Sequence, residues 1–151
     1  MTYRIEFKPL AIKDLDRLAK DEARRILDKT QTLRADLSGD VKRLTNHTPE
    51  FRLRVGDYRV LFDVEGDKII VRRVKHRKDA YRQDRNAMIE LHPEILEKNG
   101  KKEFVILTYE EFVAIQEALE DAEDLRDLRA AKLEDADKPG ISMDEAKKRY
   151  L

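Results

Sequence analysis

Arginines flank a short turn in the middle of the chain, in a pattern that suits the binding of an anion. Two segments of alternating apolar and polar residues enclose Gly56-Asp57, which is typical of a two-residue hairpin turn. The resulting register places Arg54 opposite Arg59, with Arg52 on the same face. Like charges so opposed destabilise a sheet by roughly 0.2–1 kcal/mol, whereas a shared phosphate would suit the guanidinium fork. The alternative is an exposed edge from which both arginines extend into water.

A histidine, more cations and a tyrosine follow on the next predicted strand and just beyond it. Simple alternation puts Arg72, Val74 and His76 on the same face as the arginine pair. The segment after them reads Arg77-Lys78-Asp79-Ala80-Tyr81-Arg82. Tyrosine can stack on a base or exchange a proton, and arginine can hold a phosphate. The pattern indicates a site for a phosphate-bearing ligand; the alternative is that the tyrosine ring simply packs on the sheet.

Composition excludes several classes of site. The chain has no cysteine, and its three histidines, His47, His76 and His92, lack metal-ligand spacing, so neither metal nor cofactor is expected. No apolar run reaches the ~18 residues of a membrane span, and the first residues lack the apolar core of a signal peptide. We therefore expect a cytoplasmic protein with no membrane partner.

The zero net charge is the sum of a basic first half and an acidic second half. Residues 1–84 carry 21 Lys and Arg against 15 Asp and Glu, and residues 85–151 carry 11 against 17. A basic first half favours a polyanionic partner, and an acidic second half resembles such a partner. The alternative is two solvated surfaces that differ without functional meaning.

The elements that would position these residues predict an α+β fold. A strand over residues 3–8 precedes Pro9, which opens the first of two helices, and the second carries an apolar stripe from Ala23 to Leu37. Three strands follow, over 51–55, 58–64 and 69–74. This order predicts a helical hairpin packed on a small, mostly antiparallel sheet.

The second half begins after a polar, aperiodic stretch at 82–87 and is predicted to be mainly helical. We expect a short helix over 93–99 and one short strand over 104–107. A capping box at Thr108 then opens an amphipathic helix to about residue 133, and Ser142 opens a last short helix. The long helix cannot bury its single apolar stripe alone, so the first half or a second copy must cover it. Its contact residues are Phe112, Ile115, Leu119, Leu125 and Leu128.

Residues 1–84 resemble the RelE branch of the RelE/ParE toxin superfamily. The resemblance is carried by Tyr3-Arg4-Ile5-Glu6-Phe7, the helical hairpin, Val55-Gly56-Asp57-Tyr58-Arg59-Val60 and His76-Arg77-Lys78-Asp79-Ala80-Tyr81-Arg82. Members of this branch are metal-independent endonucleases that act on ribosome-bound mRNA. In their reaction a 2′-hydroxyl attacks the adjacent phosphate and leaves a cyclic phosphate and a 5′-hydroxyl. The closing segment favours this branch over the gyrase-poisoning ParE branch.

The resemblance also implies roles for the candidate residues. Arg54 and Arg59 would clamp the phosphate, Arg77 would stabilise the leaving oxygen, and Tyr81 would stack on or deprotonate the nucleotide. Arg52 lies where the family often has lysine, and arginine is no base near neutral pH, so His76 or Tyr81 would act as the base. The implied catalytic residues are Arg54, Arg59, Arg77, Tyr81 and His76. The implied RNA-binding residues are Arg52, Arg72, Lys78 and Arg82.

Residues 85–151 are similar to Phd/YefM-type antitoxins. The similarity is carried by Phe104-Val105-Ile106-Leu107-Thr108-Tyr109-Glu110-Glu111-Phe112 and the acidic helix after it. It implies a toxin held silent by a covalently joined antitoxin, either in the same chain or swapped within a homodimer. Two alternatives stay open: a non-enzymatic complex that represses transcription from operator DNA, which the shortened 88–102 region disfavours, and a gyrase-directed toxin.

Overall fold

The computed structural model describes residues 2–37, 39–76 and 91–150. The first half contains β1 (Arg4–Phe7), α1 (Pro9–Asp16), α2 (Lys20–Gln31), a 3₁₀ turn (Thr32–Arg34), β2 (Val41–Arg43), β3 (Glu50–Val55), β4 (Tyr58–Glu65) and β5 (Lys68–His76). The second half contains β6 (Glu94–Lys98), β7 (Lys101–Ile106), α3 (Tyr109–Glu134), β8 (Ile141–Ser142) and α4 (Met143–Tyr150). These residues divide into two compact units, one formed by residues up to 76 together with those from 123 onward, and one formed by 91–122.

The first unit is a six-stranded sheet in the order β2-β3-β4-β5-β1-β8. Strands β1 and β5 are parallel, and the other neighbours are antiparallel. The predicted mixed α+β class and the mostly antiparallel sheet are therefore confirmed. The short strand β2 was not predicted, because three residues are too few to show alternation.

The hydrophobic core lies between one face of this sheet and three helices. Apolar residues at helical spacing on α1 and α2, such as Leu15 and Ile26, pack against the alternate residues of β1, β4 and β5, such as Phe7, Val60 and Val71. Helix α4 adds Met143, Ala146 and Tyr150 to the same core. The last residues of the chain thus belong to the same packed layer as the first.

The hairpin of β3 and β4 has the register that its turn predicts. Arg54 pairs with Arg59, Leu53 with Val60, and Phe51 with Phe62. Gly56 has φ of +58°, which a glycine adopts without a steric penalty at the first central position of such a turn.

A β-bulge between β4 and β5 changes which residues share a face, and one prediction is wrong as a result. The register passes from Leu61 opposite Arg73 to Phe62 opposite Val71, so Arg72 is the extra residue. Beyond the bulge Val74 pairs with Val60 on the core side, and Arg59 faces Lys75. Simple alternation had placed Val74 and His76 beside the arginines, but the inserted residue reverses the alternation.

The second unit contains a β-hairpin where a short helix had been predicted over 93–99. Strands β6 and β7 join through Asn99 and Gly100, whose φ angles of +54° and +74° are those of the turn that Asn-Gly favours. The second half therefore has three strands, β6, β7 and β8, and not the single strand predicted.

The helix boundaries in the second half follow the predicted capping boxes. Glu111 N–H donates to Thr108 Oγ1 at 3.1 Å, and Thr108 N–H donates to the Glu111 carboxylate at 3.2 Å. Glu145 N–H donates to Ser142 Oγ at 3.2 Å. Among the described residues, no helix has both the length and the apolar character needed to cross a bilayer.

Candidate functional site

The arginine-bearing face of the sheet is the face opposite α1 and α2. Because side chains alternate along a strand, Leu53 and Val60 enter the core while Arg52, Arg54 and Arg59 point to the other side. All three arginines are nonetheless buried, with exposed fractions of 1%, 6% and 3%. The C-terminal half of α3 contacts two of them, Arg52 and Arg59.

The centre of this contact is a single carboxylate. Asp124 Oδ1 accepts a hydrogen bond from Arg59 Nη1 at 2.6 Å, and its Oδ2 accepts one from Arg52 Nη1 at 3.2 Å. The Asp124 side chain has no exposed surface. One carboxylate thus accepts a hydrogen bond from each of two guanidinium groups on adjacent strands.

Burial and charge act on Asp124 in opposite directions. Desolvation raises the pKa of its carboxyl, while Arg59 and Arg52 act to lower that pKa. A buried ion pair of this kind adds little net stability over an apolar pair, but loss of one partner leaves the other charge buried and is strongly destabilising. Asp124 therefore specifies where the helix docks more than how tightly it binds.

Further ion pairs continue along α3 on both sides of this centre. Lys75 bonds to Asp127 and lies 3.7 Å from Glu123. Towards the end of the helix, Arg129 donates two hydrogen bonds of 3.1 Å to Glu50. Their common feature is that a residue of the helix meets an opposite charge on the sheet.

Polar contacts also join the last turn of α3 and the residue after it to the first half of the chain. Lys132 Nζ lies 3.3 Å from Asp63, and Asp135, just after the helix, accepts a hydrogen bond from the Leu10 N–H at 3.0 Å. Desolvation would raise the pKa of Glu50, but hydrogen bonds from Arg129 and Thr48 outweigh it and leave that pKa lowered.

Only part of the predicted apolar stripe of α3 is buried. Leu128 is completely buried, and Leu125 and Ile115 are half-buried. Phe112 is 37% exposed and Leu119 is 60% exposed. Leu128 is thus the predicted contact residue that the chain buries fully.

The other predicted site residues are distributed between this face and its surroundings. Arg72 lies on the same face and holds Asp63 with two hydrogen bonds, of 2.7 and 3.4 Å. His76 is on the other side of its strand, edge-on to Tyr58 with ring centroids 5.1 Å apart. The remaining four candidates, Arg77, Lys78, Tyr81 and Arg82, fall outside the described residues.

Two residues of the site could not be singled out from the sequence. Lys75 joins it because the bulge places it opposite Arg59, and a bulge has no reliable signature in an alternating strand. Asp124 is one of several acidic residues on α3, and nothing in its sequence neighbourhood distinguishes it.

The end of the chain makes a second contact on the opposite face of the sheet. Strand β8 extends the sheet beside β1. Arg149 donates two hydrogen bonds to the Asp16 carboxylate, at 3.0 and 2.8 Å, and Tyr150 Oη donates a third at 2.8 Å. The hydrogen bond from Arg149 lowers the pKa of Asp16. Residues from 123 onward thus make contacts on both sides of the sheet.

One open cleft borders the site. It has a volume of about 500 Å³ and lies beside the hairpin turn, where Arg54, Arg25 and Lys29 contribute positive charge and Asp28 and Asp40 contribute negative charge. Among the described residues, no group of three or more His, Asp and Glu is arranged to hold a metal ion.

Comparison with known proteins identifies relatives of the first half. The family described as ParE toxin of type II toxin-antitoxin system, parDE, matches residues 5–81. Toxin RelE3 of Methanocaldococcus jannaschii is 35% identical over 83 residues, which is 52% of this chain and 94% of that protein.

Two solved structures are also similar. The toxin-antitoxin complex RelBE2 from Mycobacterium tuberculosis contains a chain with 23% identity and a TM-score of 0.46, and the match covers 51% of this chain and all of that one. The RelB-RelE antitoxin-toxin complex from Methanococcus jannaschii contains a chain with 33% identity and a TM-score of 0.42, over 48% of this chain and 89% of that one.

Proposed function

The chain belongs to the ParE toxin family of type II toxin-antitoxin systems, and we propose that it is a RelE-type endoribonuclease held inactive by its own C-terminal segment. In this proposal residues 1–84 form the toxin, which cleaves ribosome-bound mRNA, and residues 85–151 act as the antitoxin. The observation that carries it is the burial of Asp124 between Arg52 and Arg59.

The Asp124 carboxylate occupies the place where a phosphate of the substrate would bind. Guanidinium groups bind carboxylate and phosphate oxygens with the same charge-assisted hydrogen bonds. Two arginines on adjacent strands can therefore hold a phosphodiester when α3 is absent, and cannot do so while both face one buried carboxylate. Substrate and inhibitor are mutually exclusive on this face.

The chemistry needs positive charge around the phosphorane and a group that removes a proton from the 2′-hydroxyl. The hydroxyl oxygen forms a bond to phosphorus, the P–O5′ bond breaks, and the 5′-oxygen takes a proton. Arg59 and Arg52, the pair that Asp124 bridges, hold the phosphate in this scheme, with Arg54 on the same face. Lys75 adds another cation beside Arg59, and Arg77 stabilises the leaving oxygen. The position of His76 on the far side of β5 favours Tyr81 as the base.

In this proposal the inhibitory segment binds the toxin half of its own chain. The segment from residue 123 onward contacts the sheet of its own chain at Asp124 and Lys132, and it contacts helix α1 at Arg149. Tethering also places the helix near the sheet at an effective concentration of the order of millimolar.

The test compares residues 1–84 with the full chain in a ribosome-dependent mRNA cleavage assay that maps the new RNA ends. The relative RelE3 is matched over 94% of its length by 83 residues, so a fragment of residues 1–84 has the size of that toxin. We expect cleavage by the fragment, ends bearing a cyclic phosphate, and at least ~100-fold slower cleavage by the full chain. Equal rates for the two proteins would refute inhibition, and no cleavage by a folded fragment would refute the ribonuclease.

A second candidate function is that of a gyrase-directed toxin, which the ParE description of the matching family favours. In that case the basic face would bind a protein, and the fragment would stabilise gyrase cleavage complexes on plasmid DNA. The same fragment tested in both assays distinguishes the two.

A further inference from the structure

The hairpin of β6 and β7 leaves its apolar side chains uncovered. All eleven residues of the two strands are exposed, and Ile95, Leu96, Phe104, Val105 and Ile106 keep between 44% and 60% of their surface in contact with water. A two-stranded hairpin is marginally stable by itself, and exposed apolar side chains on both of its faces usually mark an interaction site. The hairpin therefore needs a partner.

The two edges of the hairpin are not equivalent. The register passes from Leu96 opposite Phe104 to Glu97 opposite Lys102, so Glu103 is an extra residue on β7. A bulge twists a strand and disfavours pairing along its outer edge. Strand β6 has no such insertion and presents the regular edge.

We infer that β6 pairs with β6 of a second copy of this chain, antiparallel and centred on Leu96, to form a four-stranded sheet across a two-fold axis. This inference is independent of the catalytic proposal. Charge complementarity identifies the partner as a second copy. The sequence of β6 is Glu-Ile-Leu-Glu-Lys. In the antiparallel register Glu94 faces Lys98 of the other copy, and the two-fold axis repeats that pair.

Opposite charges directly across a strand pair stabilise a sheet, whereas charges on an exposed edge normally prevent pairing. Glu94 and Lys98 disfavour pairing with most other strands, but they are complementary to the same strand of a second copy. Self-pairing of β7 is less favourable: the register that puts Lys102 opposite Glu103 overlaps only the first part of that strand and leaves Val105 and Ile106 opposite the turn.

The apolar side chains of one face fit the same arrangement. Leu96 and Phe104 are paired within the hairpin and so share a face. Across the axis Leu96 lies beside Leu96 of the second copy, which joins the two apolar patches. Each end of the patch is closed by a Glu94–Lys98 pair. An apolar centre with a charged rim is the usual composition of a specific interface.

Disulfide trapping tests this geometry in the full chain, which has no cysteine of its own. In Leu96→Cys the two thiols lie opposite each other across the axis, with Cα atoms ~4.5–5.5 Å apart, a separation that a disulfide spans. Val105→Cys is the control, because its β7 strand lies one strand further out on each side and its Cα atoms are separated by roughly 14 Å. We expect diamide to convert Leu96→Cys to a covalent dimer and to leave Val105→Cys monomeric. Equal cross-linking of both, or of neither, would overturn the inference.

Sedimentation equilibrium on charge variants tests the register. Lys98→Glu places like charges opposite Glu94 twice and should raise the dimer dissociation constant at least ~10-fold. The double variant Glu94→Lys/Lys98→Glu exchanges the charges and should restore affinity to within about 3-fold of the parent. Lys101→Glu, on the inner turn side of β7, is the matched reversal that should leave the dimer intact. A parent chain that stays monomeric up to about 100 μM, or a dimer indifferent to Lys98→Glu, would contradict the proposed edge.

Discussion

Asp124 and Arg59 lie 65 residues apart in sequence, yet their side chains meet at 2.6 Å in a contact from which water is almost completely excluded. The pair joins the helix that carries the acidic charge of the second half to the strand that carries the basic charge of the first half. Because a buried charge without its partner is costly, the two side chains make the docking of α3 nearly all-or-none.

The first prediction removes the charge of Asp124 and preserves its shape. Asp124→Asn in the full chain removes the buried carboxylate that faces both Arg52 and Arg59 while the helix is docked. We expect the free energy of unfolding to fall by about 3–5 kcal/mol and cleavage of ribosome-bound mRNA to appear. Urea denaturation and the cleavage assay measure the two effects. Asp137→Asn, at an exposed position after the helix, should change stability by less than about 0.5 kcal/mol; similar effects of both variants would contradict the role of Asp124.

The second prediction compares two leucines on the same helix. Leu128 is completely buried and Leu133 is 81% exposed. Leu128→Ala should cost about 2–5 kcal/mol of unfolding free energy, because it removes buried methyl groups and leaves a cavity. Leu133→Ala should cost less than about 0.5 kcal/mol. Thermal or urea unfolding measures both, and equal losses would show that Leu128 is not an anchor of α3.

The third prediction concerns the arginines in the isolated residues 1–84. Arg59→Ala and Arg77→Ala should each slow mRNA cleavage at least ~100-fold, as expected for loss of a positioned charge at a developing oxyanion. Arg59 should be solvent-exposed in that fragment, because the helix that buries it is absent, so its removal should leave the melting temperature nearly unchanged. A large fall in melting temperature with normal cleavage would assign a structural role instead.

The fourth prediction concerns pH and the contact of α4. The hydrogen bond from Arg149 holds the pKa of Asp16 below its ordinary 3.8. A lowered carboxyl pKa means that the contribution to stability is fully present above pH 3.8 and is lost as the pH falls through the lowered value. In Arg149→Gln the pKa of Asp16 should rise, and acid unfolding should begin at higher pH.

Carbon-13 NMR of the Asp16 carboxyl during acid titration measures this change. Lys148→Gln, which removes a neighbouring charge at an exposed position of the same helix, should leave the Asp16 titration unchanged. An unchanged titration in Arg149→Gln would show that the ion pair does not form in solution.

Local patterns in the sequence were enough to predict the central hairpin and much of the site. A two-residue turn fixes the pairing of the residues beside it, so Arg54 opposite Arg59 followed from Gly56-Asp57 alone. The capping boxes at Thr108 and Ser142 gave the starts of α3 and α4 for the same reason, since each depends on residues three positions apart.

The prediction over residues 93–99 failed where two local signals compete. Asn99-Gly100 was interpreted as the end of a short helix, but the same dipeptide favours a hairpin turn. Five residues before the turn and six after it are too few for periodicity to decide between the two structures.

The sequence by itself determined the toxin fold, the opposite charges of its two halves and the arginines of the basic face, because these depend on composition and on neighbours a few residues apart. Only the tertiary structure decided that a bulge places Lys75, and not His76, beside Arg59. It also decided that β8 pairs with β1 and that Asp124 is the acidic residue that enters the site. Each of these depends on contacts between distant segments or on an insertion in the strand ladder, and several acidic residues on α3 satisfy the same local pattern. The choice among them depends on which carboxylate reaches two buried guanidinium groups once the helix is packed.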